Sequence, residues 1–188
     1  MMTAAQFAEQ RHELPDGGRW TELVAGETKT LHPPDDKHGD VVLNLSKAIA
    51  SSLSPTDPAY ASFELGVLTV RNPDTVRFPA MSVFTSGDRF AGIDAVYVSN
   101  VPALVVEVVS TNDRRTSIAE RVYEYHRIGV DKVWVADPHS QAMTVLRRDS
   151  SPVTFSGDER LSDFVLLPRF EIRTRDLFAV PAWWQGKK

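Results

Sequence analysis

Glu107 is the residue around which any chemistry must be built. It interrupts an aliphatic run, Ala103-Leu104-Val105-Val106-Glu107-Val108-Val109. An ionised carboxylate in a dry sheet costs several kcal/mol unless a cation, a hydrogen-bond donor or a proton compensates it. The helical pattern that follows, Ser117 to Ile128, sets Ile118, Arg121, Val122, Tyr125 and Ile128 on one stripe and so turns Arg121 towards the sheet. Two compensations for Glu107 are open. Arg121 can pair with it directly, or a divalent cation shared with a second carboxylate can sit there and activate water. A plainer role for Arg121 is also open, namely pairing with Glu124 three residues on, or snorkelling past the stripe.

The elements that must position these residues follow from the patterning. The run containing Glu107 is apolar on both faces, as a strand covered on two sides reads. The amphipathic stretch after it stops at Gly129, and a second aliphatic run, Lys132 to Ala136, completes strand, helix, strand with an expected right-handed crossover. Upstream, residues 1–18 read as a short helix or loose lead-in. The segment from Arg19 to Pro33 reads as a hairpin turning at Ala25-Gly26, and Val41, Val42, Leu45, Ile49 and Leu53 share one helical stripe. YASFELGVLTV and TVRFPAMSVF, joined by the turn RNPD, read as two strands of a meander. Thr85 to Asp94 reads as a polar loop at the mouth of a site, and Met143 to Arg148 as a strand after the turn DPHSQ. The expected organisation is a lead-in over 1–18, a single domain over 19–180 and a short tail over 181–188.

Composition limits the function classes. The chain has 188 residues, 42% of them hydrophobic and 24% charged, which is ordinary for a globular protein with one core. With no cysteine there is neither a disulfide framework nor a cysteine zinc site. No apolar run reaches membrane-spanning length and no leader pattern opens the chain, so a cytoplasmic protein without membrane contact is expected. The net charge of −4 removes a whole-molecule basic field and leaves Arg114, Arg115, Arg121 and Arg127 as a local basic rim. Dinucleotide loops, HExxH and the GxSxG serine elbow are all missing.

Taken together, VRFPAMSVF, PALVVEVVS, ERVYEYHRIGVDKVWVADP and FEIRTRDLF resemble the Uma-two family, described as putative restriction endonucleases, of the PD-(D/E)XK nuclease superfamily. The resemblance runs from about Glu22 to Phe178 and includes the hairpin TELVAGE and His38. It implies an α/β (α+β) fold, a restriction-endonuclease-like mixed sheet flanked by helices. It also implies carboxylates holding Mg2+ or Mn2+, and DNA as the partner. The family's second metal carboxylate matches Glu107, with Ser110 after it. The family's first, an aspartate directly after proline, falls on Ala80, and its lysine falls on Arg121.

Alanine has no ligand atom, and a guanidinium is too basic to act as a base. Replacement carboxylates are sought in Glu64 and Asp94, and further in Asp88 and Glu22, with Glu64 expected on a strand beside the PAMSV strand. Asp74 also follows a proline but lies in a turn. His38 is expected as a cap-region or surface histidine ahead of a helix, and the Trp183-Trp184 pair either as a docking patch or as an element end tucked on the core. Two readings result. One is a metal-dependent DNA endonuclease in which Glu107 holds the ion and Arg121 the scissile phosphate. The other is a catalytically degenerate binding or assembly protein in which Arg121 pairs with Glu107. A homodimer is compatible with either.

Overall fold

A computed structural model describes residues 1–87 and 95–184. The chain opens with helix α1, Ala4–Gln10, closed by a reciprocal capping box between Thr3 and Gln6. The residues expected as a lead-in are thus docked: Ala4 and Phe7 are buried against Leu23, Leu68 and Val76. Strands β1 (Thr21–Val24) and β2 (Glu27–Thr30) form the expected hairpin. Its two turn residues, Ala25 and Gly26, take φ of 50° and 77°, the left-handed pair that a two-residue hairpin needs. Helix α2, Asp36–Ser52, is capped by the Asp35 side chain and buries Val41, Leu45 and Ile49.

The segment expected as two meander strands divides into four: β3 (Tyr60–Phe63), β4 (Gly66–Val70), β5 (Thr75–Arg77) and β6 (Met81–Phe84). The chain leaves one sheet for another at two bends. Glu64 sits in the first with φ of 48°, so it follows β3 and does not lie on a strand. The second bend spans Phe78 to Ala80, where Pro79 offers no donor and the Phe78 amide bonds to the Glu22 carboxylate at 3.1 Å. Gly66 is required where β4 meets β7 (Tyr97–Val98), because a Cβ there would lie 2.6 Å from the Val96 carbonyl oxygen.

Strand β8 (Leu104–Val108), helix α3 (Asn112–Ile128) and strand β9 (Lys132–Asp137) form the expected unit, with β8 and β9 parallel. Gly129, at φ of 106°, ends α3. The chain continues through β10 (Ala142–Arg147), β11 (Val153–Ser156), β12 (Arg160–Ser162), β13 (Glu171–Arg173) and the short α4 (Thr174–Leu177). One mixed sheet has the order β2-β1-β5-β4-β7 and the other β11-β10-β9-β8-β6-β3, with β12 and β13 as a separate pair. The fold is a mixed α/β arrangement of sheets flanked by helices.

Strand β8 is fully buried because it separates two cores. Leu104, Val106 and Val108 face the larger core, with α2, Trp134 and Phe170; Val105 faces α3, with Tyr125, Val130 and Val133. Alternation along the strand puts Glu107 on the α3 side. Helix α3 lies against β4 of one sheet and β8 and β9 of the other, so its inward side chains reach both.

Candidate functional site

Arg121 is 1% exposed and takes part in three hydrogen bonds on the inner face of α3. Its Nη1 donates to Glu107 Oε1 at 3.0 Å, its Nη2 to Glu22 Oε2 at 2.7 Å, and its Nε to Ser117 Oγ at 3.2 Å. One planar guanidinium thereby bridges a carboxylate from each sheet, which a point-like ammonium could not do with the same geometry. Burial opposes its charge, but Glu107 and Glu22 outweigh that and hold Arg121 well above the ordinary arginine range.

The bridge belongs to a larger buried network. Tyr125, one turn further along α3, donates its hydroxyl to Glu107 Oε1 at 2.7 Å. Complete burial, and after it the Glu107 charge, push the Tyr125 phenol well above its usual range, so it remains a donor. Arg77 on β5 donates to both oxygens of Glu124, at 2.7 and 2.8 Å, and to Glu22 Oε2 at 3.2 Å. Burial works against Arg77 too, yet the Glu124 hydrogen bonds and the charges of Glu22 and Glu124 keep its pKa raised. Thr69 donates to Glu124 at 2.9 Å. Glu124 therefore pairs with Arg77 and not with Arg121, because it lies far enough round the helix to face β4 and β5.

A cavity of about 30 Å3 opens beside this network, lined by Glu22, His38, Ala80, Glu107, Glu64 and Arg114, with Arg19, Trp20 and Phe78 at its walls. Space of this size suits a water or a small ion. Ala80, in the bend before β6, lines this cavity together with Glu107 and also packs in the larger core. Its side chain is a methyl, so position 80 offers the cavity no oxygen. His38 is 8% exposed, and its Nδ1 has no hydrogen-bond partner. Burial, with help from Arg114, lowers its pKa to about 4, so the ring is neutral at pH 7. Arg114 is anchored at the rim, donating to the His32 carbonyl at 2.7 Å and to Thr111 Oγ1 at 3.0 Å.

The structure thus gathers Glu107, Arg121, Glu22, Ala80, His38 and Glu64 around one centre, although Glu64 is exposed at the mouth. Asp88 and Asp94 lie outside the described residues. The expected basic rim contracts to Arg114 with Arg19. Arg121 is buried, Arg115 is held by both oxygens of Asp137 at 2.7 and 2.9 Å, and Arg127 rests over the Tyr123 ring. Asp74 serves structure, accepting from the Ala4 amide at 2.8 Å. Arg77 and Tyr125 are site members that the sequence pattern does not disclose: Arg77 sits on a short strand, and the Tyr125 hydroxyl is hidden in an apolar stripe.

A divalent ion does not fit these residues as they stand. Glu22 and Glu107 already share the Arg121 guanidinium, and position 80 contributes no oxygen. Among the described residues no group of three or more His, Cys, Asp or Glu is placed to hold a metal. No helix among them is long and apolar enough to cross a membrane.

The family model of Uma2, described as "Putative restriction endonuclease", matches residues 8–175. Among solved structures, a putative nuclease belonging to DUF820 from Anabaena variabilis ATCC 29413 is similar with a TM-score of 0.75 and 21% sequence identity. The likeness covers 91% of this chain and 96% of that one. At that identity the likeness concerns the fold. No curated protein matches the chain.

Proposed function

The chain belongs to the Uma2 family, a family of putative restriction endonucleases, and from that premise we propose that it is a nuclease-fold protein whose metal centre has become a fixed-charge centre. The observation that carries this reading is the Arg121 guanidinium, bonded at once to Glu107 and Glu22. A divalent ion in this family's chemistry would neutralise clustered carboxylates and activate water. Arg121 supplies the neutralisation and none of the activation, since it carries no water and cannot give up its proton. The replacement of the proline-linked aspartate by Ala80 removes the second ligand at the same place. Glu107 and Arg121 are, on this reading, the site's structural centre. The protein then acts by binding or assembly, with DNA as the first partner to test.

The competing reading is a metal-dependent endonuclease in which Glu107 is the ion's ligand. It is favoured by the cavity itself, which keeps Glu107, Glu22 and His38 around one space. Plasmid nicking in magnesium or manganese separates the two. The unmodified chain is expected to leave supercoiled DNA intact, and Ala80→Asp with Arg121→Lys to gain nicking that Glu107→Gln removes. Nicking by the unmodified chain that is lost with Glu107→Gln would overturn the fixed-charge reading.

A further inference from the structure

A second and larger groove shares no lining residue with the Glu107 cavity. It encloses about 730 Å3 between the C-terminal turns of α2 and strand β3, with Ile49, Ala50, Leu53, Ala59, Ala61 and Phe63 on its walls. Strand β3 is the edge of the six-stranded sheet, and among the described residues it pairs only with β6. An open edge exposes unpaired backbone donors and acceptors, and proteins usually protect such edges with charge, proline or a bulge. Tyr60-Ala61-Ser62-Phe63 has none of these, and its register with β6 is unbroken. Phe63 is 47% exposed, while Leu53, Ala59 and Ala61 are only partly buried against the main core.

We propose that this edge is a homodimer interface at which β3 pairs antiparallel with β3 of a second copy, each Phe63 entering the partner's groove. Self-complementarity of the edge favours a second copy over any other occupant. A two-fold axis perpendicular to the sheet keeps each face on its own side, so residues of equal parity must meet. Centring the axis at Ala61 sets Ala61 against the partner's Ala61 and Phe63 against the partner's Ala59. The large exposed ring then lies over the small-residue wall of the other copy's groove, and the reciprocal contact is identical. No charged side chain lies on the paired strands to oppose the approach. The result joins two six-stranded sheets into one continuous sheet and removes an edge from each copy.

The test is the oligomeric state of the full chain by light scattering and sedimentation velocity over a concentration series. A dimer that dissociates on dilution is expected, with a dissociation constant at or below the micromolar range. Phe63→Lys is expected to weaken it by roughly ten- to a hundredfold or more, from the two partly exposed rings it removes. Because Phe63 is at the surface, that variant should keep the parent's circular dichroism and melting curve. Ala61→Pro, which removes a donor from the open edge because Val83 opposite it turns its own backbone carbonyl to Ala103, should weaken the dimer likewise. A chain that stays monomeric at concentrations on the order of 100 μM overturns the proposal. So does a dimer that survives Phe63→Lys and Ala61→Pro unchanged, since its interface would then lie elsewhere.

Discussion

Replacing Arg121 with methionine removes one buried cation and leaves two carboxylates facing each other without it. Methionine matches much of the arginine stem in length and apolar character, so the change isolates the charge. The buried cluster contains Glu22, Glu107 and Glu124 against Arg77 and Arg121, three negative charges to two positive. Without Arg121 it becomes three to one, and Glu107 keeps only the Tyr125 hydroxyl from the network. Breaking a buried ion pair by removing one partner costs about 3–5 kcal/mol. Arg121 serves two carboxylates and is 1% exposed, so the loss should fall at the upper end of that range. Urea unfolding followed by circular dichroism reads it as a fall in midpoint at unchanged slope. Adding Glu107→Gln to Arg121→Met should recover a large part of the loss, because the uncompensated charge disappears with it. A loss below about 1 kcal/mol for the single variant, the level of an exposed pair, would refute the bridging role.

Arg121→Lys should cost about 1–3 kcal/mol in the same assay, because an ammonium cannot reproduce a planar two-carboxylate bridge. Tyr125→Phe removes a charge-assisted bond to a buried carboxylate and should cost about 1.5–3 kcal/mol with little change in the far-ultraviolet spectrum. His38 gives a pH signature. Its folded pKa, about 4, lies below the ordinary 6.5, so the unfolded chain takes up a proton first as the pH falls. That contribution to stability is fully present above pH 6.5 and is lost as pH drops from 6.5 towards 4, by on the order of 3 kcal/mol. Unfolding midpoints measured across this window should show the slope in the parent and a flatter profile in His38→Gln. An equal slope in both would assign it to other groups.

How far the amino-acid pattern reaches is clearest along β8 and α3. Glu107 stands out because a charge in an aliphatic run has no cheap explanation, and Arg121 because the helical period turns it inward. Both signals are local, so both can be read from one stretch of chain. The partner Glu22 is distant by 99 positions and sits on a different sheet, and nothing near it marks it as buried. Arg77 is hidden for the same reason: its neighbours suggest an exposed strand residue, and only the arrival of α3 over β5 gives it Glu124. The sequence stripe also suggests an Arg121 to Glu124 pair, which the twist of the helix past the sheet divides between two different partners. The single meander expected from Tyr60 to Phe84 becomes four strands in two sheets, since bends at Glu64 and Pro79 depend on where the other sheet lies.

Whether the Arg121 guanidinium stands in place of a metal ion can be measured directly. The most direct measurement is a calorimetric titration of manganese into the unmodified chain, into Ala80→Asp with Arg121→Lys, and into each of these with Glu107→Gln. The unmodified chain should give no saturable heat at millimolar manganese, whereas the double variant should bind one ion in a manner that Glu107→Gln abolishes. Stoichiometric binding by the unmodified chain, lost with Glu107→Gln, would contradict the fixed-charge reading.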